Sequence, residues 1–232
     1  MFFYYDWTMI IVLPAILFTF WAQSKVQSTF EKYSKQRTHS GMTGFEAARR
    51  LLDSNGLYHV QISMLPTEQL KDHYNPKDQT LYLSKPVYNS NSASAIGVAC
   101  HEAGHALQDA HAYAPLKLRM GMVPVCNFGS MLAMPLFIIG MLMSVDLGWG
   151  FMLAGIACFS LATFFQLVTL PVEFNASRRA MEGMRDCGIL YDSELDGARA
   201  VLNAAAMTYV AALATSLLSL LRLVMLANNR RR

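Results

Sequence analysis

Charged residues are scarce in this sequence. Asp, Glu, Lys and Arg together make up 15% of the 232 residues, whereas a soluble domain averages about 25%. Hydrophobic residues account for 53%, and the formal net charge is only +3. This composition indicates either a membrane protein or an unusually apolar core, and the distribution of charges along the chain decides between the two.

Several further absences narrow the class of protein. No block of basic residues with interleaved aromatic residues is present, so we do not expect nucleic acid as a partner. No basic n-region or A-x-A site indicates a cleavable signal peptide, and neither repeats nor low-complexity linkers occur. The cysteines lack C-x-x-C spacing, which predicts free thiols rather than a disulfide framework or a cysteine zinc site. They are Cys100, Cys126, Cys158 and Cys187.

The first long uncharged stretch lies near the N-terminus. Residues 7–22 carry no charge, and residues 2–5 add further aromatic and apolar side chains. Together they reach the roughly 20 residues that cross a bilayer, and Trp7 and Trp21 bracket the stretch as interfacial aromatics do. The sequence predicts a first transmembrane helix here; a signal anchor or a helix lying on the membrane surface is the alternative.

Two more uncharged stretches predict a transmembrane hairpin. Residues 125–145 and 149–170 carry no charge, and between them Asp146-Leu147-Gly148 has the composition of a tight turn. In a last apolar stretch, residues 201–227, the single charged residue is Arg222. It is close enough to the end of the stretch for its side chain to reach the membrane surface. This stretch predicts a fourth span; the alternative is a helix that packs against the polar part of the chain.

The polar segments between the apolar stretches predict the remaining organisation. Residues 43–46 match a capping box, so a helix is expected from Gly44 to about Ser54. Residues 57–65 and 79–84 have strand character. The predicted segments are therefore span one at 1–23, a region with helix and strand signals at 24–124, the hairpin at 125–170, a polar helical segment at 171–200 and the C-terminal apolar helix at 201–227.

The motif that dominates the polar region is His101-Glu102-Ala103-Gly104-His105. On a helix, predicted at about residues 93–109, residues four apart lie on one face, so His101 and His105 can hold one metal ion. Zinc lowers the pKa of a water ligand to about 7, and a neighbouring carboxylate such as Glu102 can take its proton. The flanking residues are apolar, and burying two histidines and a glutamate together is costly unless something pairs them.

A catalytic zinc site needs a third protein ligand. His111 has the spacing of the H-E-x-x-H-x-x-G-x-x-H pattern, but Gln108 stands where that pattern needs glycine for the chain to turn back. The other candidate is Glu173. Pro171 is predicted to end the third span, which puts Glu173 near the start of the next helix, where a carboxylate is favoured.

Several motifs together resemble one family, the YugP-like neutral zinc metallopeptidases of bacterial membranes. They are residues 72–76 (Asp-His-Tyr-Asn-Pro), 83–84 (Leu-Ser), 101–106, 113–119 (Tyr-Ala-Pro-Leu-Lys-Leu-Arg) and 170–177 (Leu-Pro-Val-Glu-Phe-Asn-Ala-Ser). The resemblance covers nearly the whole chain. It implies a layout related to HtpX-like and CAAX-type membrane proteases, in which an E-x-x-A-D motif after a transmembrane hairpin supplies the third ligand.

The resemblance implies that Glu173 is that ligand. Residues 173–177 match the E-x-x-A-D motif except at its last position, where Ser177 replaces aspartate. That aspartate is expected to orient a ligand histidine, so the partner of the histidine is open here. The expected fold is a mainly α integral membrane protein. A zincin-like part, made of the metal helix and a small β-sheet, stands on three to four transmembrane helices.

The function predicted from these residues is a zinc endopeptidase with one Zn²⁺ per chain. His101, His105 and Glu173 hold the ion, and Glu102 is the general base. Candidates for oxyanion or substrate contacts are His111, Arg178, Arg179 and Tyr209, whereas His59 and His73 are expected to be structural or surface residues. A zinc-stabilised scaffold without turnover is the alternative; a transporter is disfavoured because the spans carry almost no ionisable groups.

The positions of the basic residues predict an orientation in the bacterial cytoplasmic membrane. Loops on the cytoplasmic side are enriched in Lys and Arg, and here such residues follow the first span and the third. They are Lys25, Lys32, Lys35, Arg37, Arg49, Arg50, Arg178, Arg179, Arg185 and Arg199. The active site is therefore expected in the cytoplasm, with a peptide or membrane-protein substrate. Residues 230–232, all arginine, conflict with four full spans, so the side of the C-terminus stays open, as does the oligomeric state.

Overall fold

A computed structural model describes residues 8–231 of the chain. Residues 2–5 and Trp7, which the sequence predicts to extend the first span, lie outside this part. The elements are α1 (Met9–Ser34), α2 (Gly44–Ser54), β1 (Gln61–Leu65), β2 (His73–Asn75), β3 (Thr80–Ser84), α3 (Lys85–Tyr88), α4 (Ala93–Ala110), α5 (Ala114–Leu142), α6 (Val145–Asp186) and α7 (Asp192–Arg231). The predicted fold class, mainly helical with a small sheet, is confirmed.

Four of these helices, α1, α5, α6 and α7, are long and apolar enough to cross a membrane. They are longer than the predicted spans, because each continues into polar sequence. The prediction that Glu173 lies near the start of a new helix is wrong, since α6, which is 42 residues long, continues through Pro171. A proline removes one N–H and one helical hydrogen bond, a loss that long membrane helices tolerate. Pro14, Pro124 and Pro135 are likewise inside helices.

The connection between α5 and α6 is also displaced from its predicted position. Only Met143 and Ser144 separate the two helices, and Gly148 N already donates a helical hydrogen bond to Ser144 O at 2.8 Å. Asp146 therefore lies in the first turn of α6 rather than in a turn between helices. A negative charge is stabilised there by the helix dipole, which is why an acidic residue at this position does not break the helix.

The chain forms two compact units, and the first contains the apolar helices. It comprises Met1–Ala22, Leu118–Leu170 and Thr208–Arg232. Hydroxyl groups of α1 and α7 meet where Thr19 Oγ1 lies 3.1 Å from Thr215 Oγ1, and Arg222 Nε donates to Thr8 Oγ1 at 3.3 Å. Because residue numbers rise along α1 as they fall along α7, these two helices are antiparallel.

Arg230 joins the end of α7 to the α5–α6 connection. Its guanidinium donates to Gly140 O at 2.6 Å and also to Met143 O. These carbonyls belong to the last turn of α5 and the residue after it, where helical partners run out. The start of α1, the α5–α6 connection and the end of α7 therefore lie at one end of the first unit.

The second unit comprises Gln23–Lys117 and Pro171–Met207. Its core is built from buried leucines of α2 and β3 packed with α4, with Leu51, Leu81, Leu83 and Ile96 among the largest fully buried side chains. The capping box predicted at the start of α2 is confirmed, because Thr43 Oγ1 accepts from Glu46 N at 3.2 Å and Thr43 N donates to Glu46 Oε2 at 2.8 Å.

The sheet of this unit has the strand order β1-β3-β2. β1 is parallel to β3, with Gln61 opposite Thr80, and β2 is antiparallel to β3, with His73 opposite Tyr82. β2 contains only three residues and was not predicted from the sequence. Its outer edge is the part of the sheet that reaches the metal helix.

Candidate metal centre

The two histidines of the motif project from the same face of α4. This helix begins after Ser92, whose hydroxyl accepts a hydrogen bond from Ala95 N at 3.3 Å. The rings of His101 and His105 meet edge to face, with centroids 4.8 Å apart. A buried apolar helix with a polar cap at its start therefore holds both imidazoles one turn apart.

Glu173 of α6 completes the group. Its Oε2 lies 3.3 Å from His101 Nε2 and 3.7 Å from His105 Nε2, and the residue is 2% exposed. One potential ligand atom from each of the three side chains lies within 4.8 Å of the others. The structure thus brings together the three residues predicted as ligands, one from a segment far along the chain.

Gly104 allows α4 and α6 to approach this closely. A Cβ atom at this position would lie 2.6 Å from Ala176 O, a distance that no real Cβ contact shows. Any side chain there would push apart the backbones that carry the histidines and the glutamate. The glycine inside the motif is therefore a requirement of the helix packing.

The charges of the three groups favour one another. Burial alone would raise the pKa of Glu173, but hydrogen bonds and charge from His101 and His105 outweigh burial and lower it. Burial likewise opposes protonation of His105, yet the carboxylates of Glu173 and Glu102 raise its pKa. A buried ionised carboxylate beside two imidazoles is a donor set that a divalent cation would neutralise.

Two of the three separations among the donors are close to those of a zinc site. With bonds of about 2.0–2.1 Å in a tetrahedral arrangement, neighbouring ligand atoms are about 3.3–3.4 Å apart. The observed separations from Glu173 Oε2 to the two Nε2 atoms, 3.3 and 3.7 Å, are close to this value. Two histidines and one carboxylate are also a common ligand set of catalytic zinc sites, which leave the fourth position open.

Each histidine has a second partner on its other ring nitrogen. His101 Nδ1 lies 3.1 Å from Ser177 Oγ, so Ser177 occupies the role that the resembled motif gives to aspartate. His105 Nδ1 lies 3.0 Å from Gln108 Oε1. From the sequence alone, Gln108 is notable only as a residue that opposes a turn. Its position three residues after His105 in a buried helix was the signal that could have revealed it.

Glu102 lies beside the first ligand and is held by the sheet. Its Oε2 accepts a hydrogen bond from Tyr74 N, the backbone amide in the middle of β2, at 3.0 Å. The residue is buried, with 8% of its surface exposed. The Tyr74 hydroxyl in turn donates to Asp109 Oδ2 at 3.0 Å, which fixes β2 against α4 at two points.

The remaining candidates lie in different surroundings. His111 ends α4, and its Nδ1 is 2.7 Å from Leu107 O, so the ring is tied to the helix terminus. Among residues 8–231 it is not part of the group that could hold a metal. Arg178 is exposed beside Glu182, with Nε 4.0 Å from Oε1. Tyr209 belongs to α7 in the first unit.

Arg179 was predicted as a possible substrate contact, and the structure gives it a partner within the protein. Its Nε donates to Asn175 Oδ1 at 2.8 Å, one turn earlier on α6. His59 and His73, predicted as structural or surface residues, are both exposed. His73 stacks on Tyr82 with ring centroids 5.0 Å apart. A contact of His111, Arg178, Arg179 or Tyr209 with substrate stays a prediction.

Comparison with known proteins shows the family of this chain. The family described as "Putative neutral zinc metallopeptidase" matches residues 8–228. A protein of Bacillus subtilis (strain 168) named "Putative membrane protease YugP" is 50% identical over 222 residues, which is 95% of this chain and 96% of that protein. No solved structure matches the chain. The resemblance drawn from the sequence motifs is confirmed.

Proposed function

The chain belongs to the neutral zinc metallopeptidase family and is a membrane protein, and from these premises we propose that it is a zinc endopeptidase. The observation that carries this proposal is the convergence of His101, His105 and Glu173, with Glu102 adjoining the first ligand. In this proposal one zinc ion is bound per chain, and the three converging residues are its ligands.

Bound zinc supplies Lewis acidity, which polarises a carbonyl group and lowers the pKa of water. Glu102 is the general base of the proposed mechanism: its carboxylate takes a proton from the attacking water and delivers it to the leaving amine. The hydrogen bond from Tyr74 N occupies Glu102 Oε2 and holds the carboxylate in one orientation, so that Oε1 is the atom that exchanges the proton.

The substrate of this proposal is an extended peptide. β2 is one of the two edge strands of the sheet in the part of the chain that the structure describes, and it contacts α4 through Tyr74 and Glu102. Edge strands bind extended peptides by main-chain hydrogen bonds. Because Tyr74 N already donates to Glu102, we place the peptide at this edge beside that hydrogen bond, which would bring a scissile bond towards the histidines of α4.

The proposed location is the bacterial cytoplasmic membrane, with the catalytic residues on the cytoplasmic side. The support is the distribution of Lys and Arg in the sequence, which favours the cytoplasm for the segments after the first and third spans. Peptides or membrane-protein segments are the expected substrates, because the chain carries both a peptidase motif and apolar helices.

Replacing Glu102 by glutamine tests the proposal. Glu102→Gln keeps the shape of the side chain but cannot take a proton, so purified protein should still bind zinc. Cleavage of an unfolded polypeptide should fall by about 10²–10⁴-fold. Zinc content and cleavage are measured on the same samples, with and without a chelator.

Glu68→Gln is the matched control, because Glu68 is an exposed partner of Lys85 and its substitution should leave cleavage unchanged. Cleavage that persists in Glu102→Gln would refute the role of the base. If wild-type protein binds zinc but cleaves nothing, the zinc-stabilised scaffold becomes the better description.

A further inference from the structure

We infer that Gln108 fixes the tautomer of His105, and that Asn175 and Arg179 hold Gln108 in the orientation this requires. These three are positioning residues, since none of them supplies a ligand atom to the proposed zinc ion. The inference rests on the proposed function, because the tautomer matters only if His105 Nε2 is a ligand.

The amide of Gln108 has one orientation that satisfies its neighbours. The residue is fully buried, and Nε2 lies 2.7 Å from Val172 O and 3.0 Å from Asn175 Oδ1. A backbone carbonyl can only accept a hydrogen bond, so the atom facing Val172 is the donating amide nitrogen. The other atom, Oε1, then faces His105 Nδ1 at 3.0 Å and can only accept.

Arg179 independently fixes the orientation of the Asn175 amide, which agrees with that of Gln108. A guanidinium donates and never accepts, so the atom of Asn175 that lies 2.8 Å from Arg179 Nε is its carbonyl oxygen. This oxygen accepts a second hydrogen bond from Gln108 Nε2 at 3.0 Å. Arg179 Nε and Gln108 Nε2 therefore both donate to Asn175 Oδ1, and the orientation of each amide is determined.

The consequence for His105 is a hydrogen on Nδ1. Because Gln108 Oε1 can only accept, Nδ1 of the ring must donate, and a neutral ring then carries its lone pair on Nε2. Nε2 is the atom that faces Glu173. The network thus prepares the ring as a metal ligand through residues that never touch the ion, as outer partners of ligand histidines commonly do.

His101 lacks this constraint. Its partner, Ser177 Oγ, is a hydroxyl that can either donate or accept. In place of the aspartate of the resembled motif, this hydroxyl leaves the tautomer of His101 to be set by the ion. The network therefore fixes the tautomer of His105, whereas the tautomer of His101 is not fixed by its partner.

Two substitutions at one position test the network. Asn175→Asp keeps an oxygen that accepts from Gln108 and Arg179, whereas Asn175→Leu removes it. Zinc affinity of the purified full-length protein is measured by competition with a chromogenic chelator. We expect Asn175→Asp to bind zinc as wild type does and Asn175→Leu to bind about 10–100-fold more weakly, the usual cost of losing an outer partner.

Further variants extend the test. Gln108→Met, which removes both polar atoms at similar size, should weaken zinc binding as Asn175→Leu does; if Gln108→Met does not fold, the Asn175 pair decides. Arg179→Met should weaken binding less than Asn175→Leu, because Asn175 Oδ1 still accepts the hydrogen bond from Gln108 Nε2. Arg185→Met is its control, since Arg185 is exposed on the same helix, and it should bind zinc like wild type.

The outcomes separate this inference from the proposed function. If wild-type protein does not bind zinc, the proposed function fails. If wild type binds zinc and Asn175→Asp and Asn175→Leu bind it equally well, the role of the network is refuted while the zinc site stands. A merely structural role would weaken both Asn175 variants in proportion to their loss of thermal stability, which is measured alongside.

Discussion

The ionisable and polar side chains that this protein buries are held by specific partners. Glu194, 1% exposed, accepts hydrogen bonds from His39 N at 2.6 Å and from Tyr191 N at 3.0 Å. Among residues 8–231, the one buried side-chain nitrogen or oxygen without a hydrogen bond is Arg49 Nε. The other nitrogens of Arg49 donate to Val60 O and Leu57 O. Burial of charge is therefore matched by hydrogen bonds in both acidic and basic residues.

At this scale Glu194 should contribute to stability in a pH-dependent way. Burial would raise its pKa, but hydrogen bonds from Tyr191 and His39 lower it below the ordinary value of 4.5. A group whose pKa is lowered in the folded state stabilises the fold at pH values above its ordinary pKa. This contribution is lost as the pH falls through the pKa of the folded state. Glu194→Gln should therefore lower the free energy of unfolding at pH 7 by about 1.5–3 kcal/mol.

Thermal or denaturant unfolding in detergent, at pH 7 and below pH 4.5, measures this effect. The difference between wild type and Glu194→Gln should be largest at pH 7 and shrink on acidification. Glu68→Gln is the control, because exposed ion pairs contribute only about 0–1 kcal/mol. A difference that is constant or grows as the pH falls would contradict the assignment.

The residues of the site differ in how far the sequence could predict them. His101, Glu102 and His105 follow from local spacing, because four residues on a helix fix their common face. Glu173 needed the family resemblance, since spacing alone left His111 open. Local spacing could have placed Gln108 beside His105. The hydrogen bonds of Gln108 to Val172 and Asn175, and that of Tyr74 to Glu102, depend on a packing between elements that no local pattern encodes.

At the scale of elements, the approach of α4 to α6 determines the geometry of the metal centre. The contact is made by a helix backbone on each side, at Gly104 and Ala176. Because the histidines lie on α4 and Glu173 on α6, the separation of these backbones sets the distances among the ligand atoms. Small residues at such a contact are therefore part of the site although they carry no chemistry.

Gly104→Ala tests this dependence. The added Cβ would lie 2.6 Å from Ala176 O, so the helices must shift. Overpacking of this kind costs about 1–3 kcal/mol, and the ligand atoms should move apart. We expect weaker zinc binding in chelator competition and a lower unfolding midpoint, although alanine by itself favours the helix over glycine.

Gly121→Ala is the matched control, because a Cβ at this position of α5 has no neighbour within 4 Å. Alanine is also favoured over glycine in a helix by about 0.8–1 kcal/mol, so this variant should be at least as stable as wild type. Equal zinc affinity in Gly104→Ala and wild type would show that α4 and α6 can separate without disturbing the ligands.

The elements themselves were predicted unevenly. The bounds of α2 and α4 were predicted to within about one residue, because a capping residue and an apolar pattern are local signals. β2 was missed because three residues carry no readable alternation, and the strand exists only by pairing with β3. The helix end predicted at Pro171 was wrong, because one missing N–H does not outweigh the many helical hydrogen bonds on either side of it.

At the scale of the whole molecule, the first unit explains how a C-terminal cluster of arginines can coexist with four spans. Positive residues favour the cytoplasmic side, yet Arg230 lies at the same end as the α5–α6 connection. Its guanidinium is bound by Gly140 O and Met143 O at the end of α5. These carbonyls carry the negative end of the helix dipole, so they stabilise the charge of Arg230 at the end that the proposed orientation puts outside the cytoplasm.

This arrangement predicts the membrane topology. Single cysteines replacing Ser144 and Asn229, both exposed, should react with an impermeant maleimide in right-side-out vesicles of a bacterial host. A cysteine replacing Lys77, also exposed, should react only after permeabilisation. The native cysteines are first replaced by serine.

Labelling of the cysteines at positions 229 and 144 from opposite sides of the membrane would contradict four full spans. Labelling of Lys77 from outside would reverse the proposed orientation while leaving the number of spans intact.

The order of the ligands along the chain has a consequence for biogenesis. His101 and Glu173 are 72 positions apart, and the whole apolar hairpin is synthesised between them. An ion held by both would close that loop, and bridges across long loops restrict the unfolded chain most. Until the hairpin has entered the bilayer and the chain has returned, only two of the three proposed ligands are in place. A newly made copy would thus remain harmless to surrounding polypeptides until its own insertion is complete.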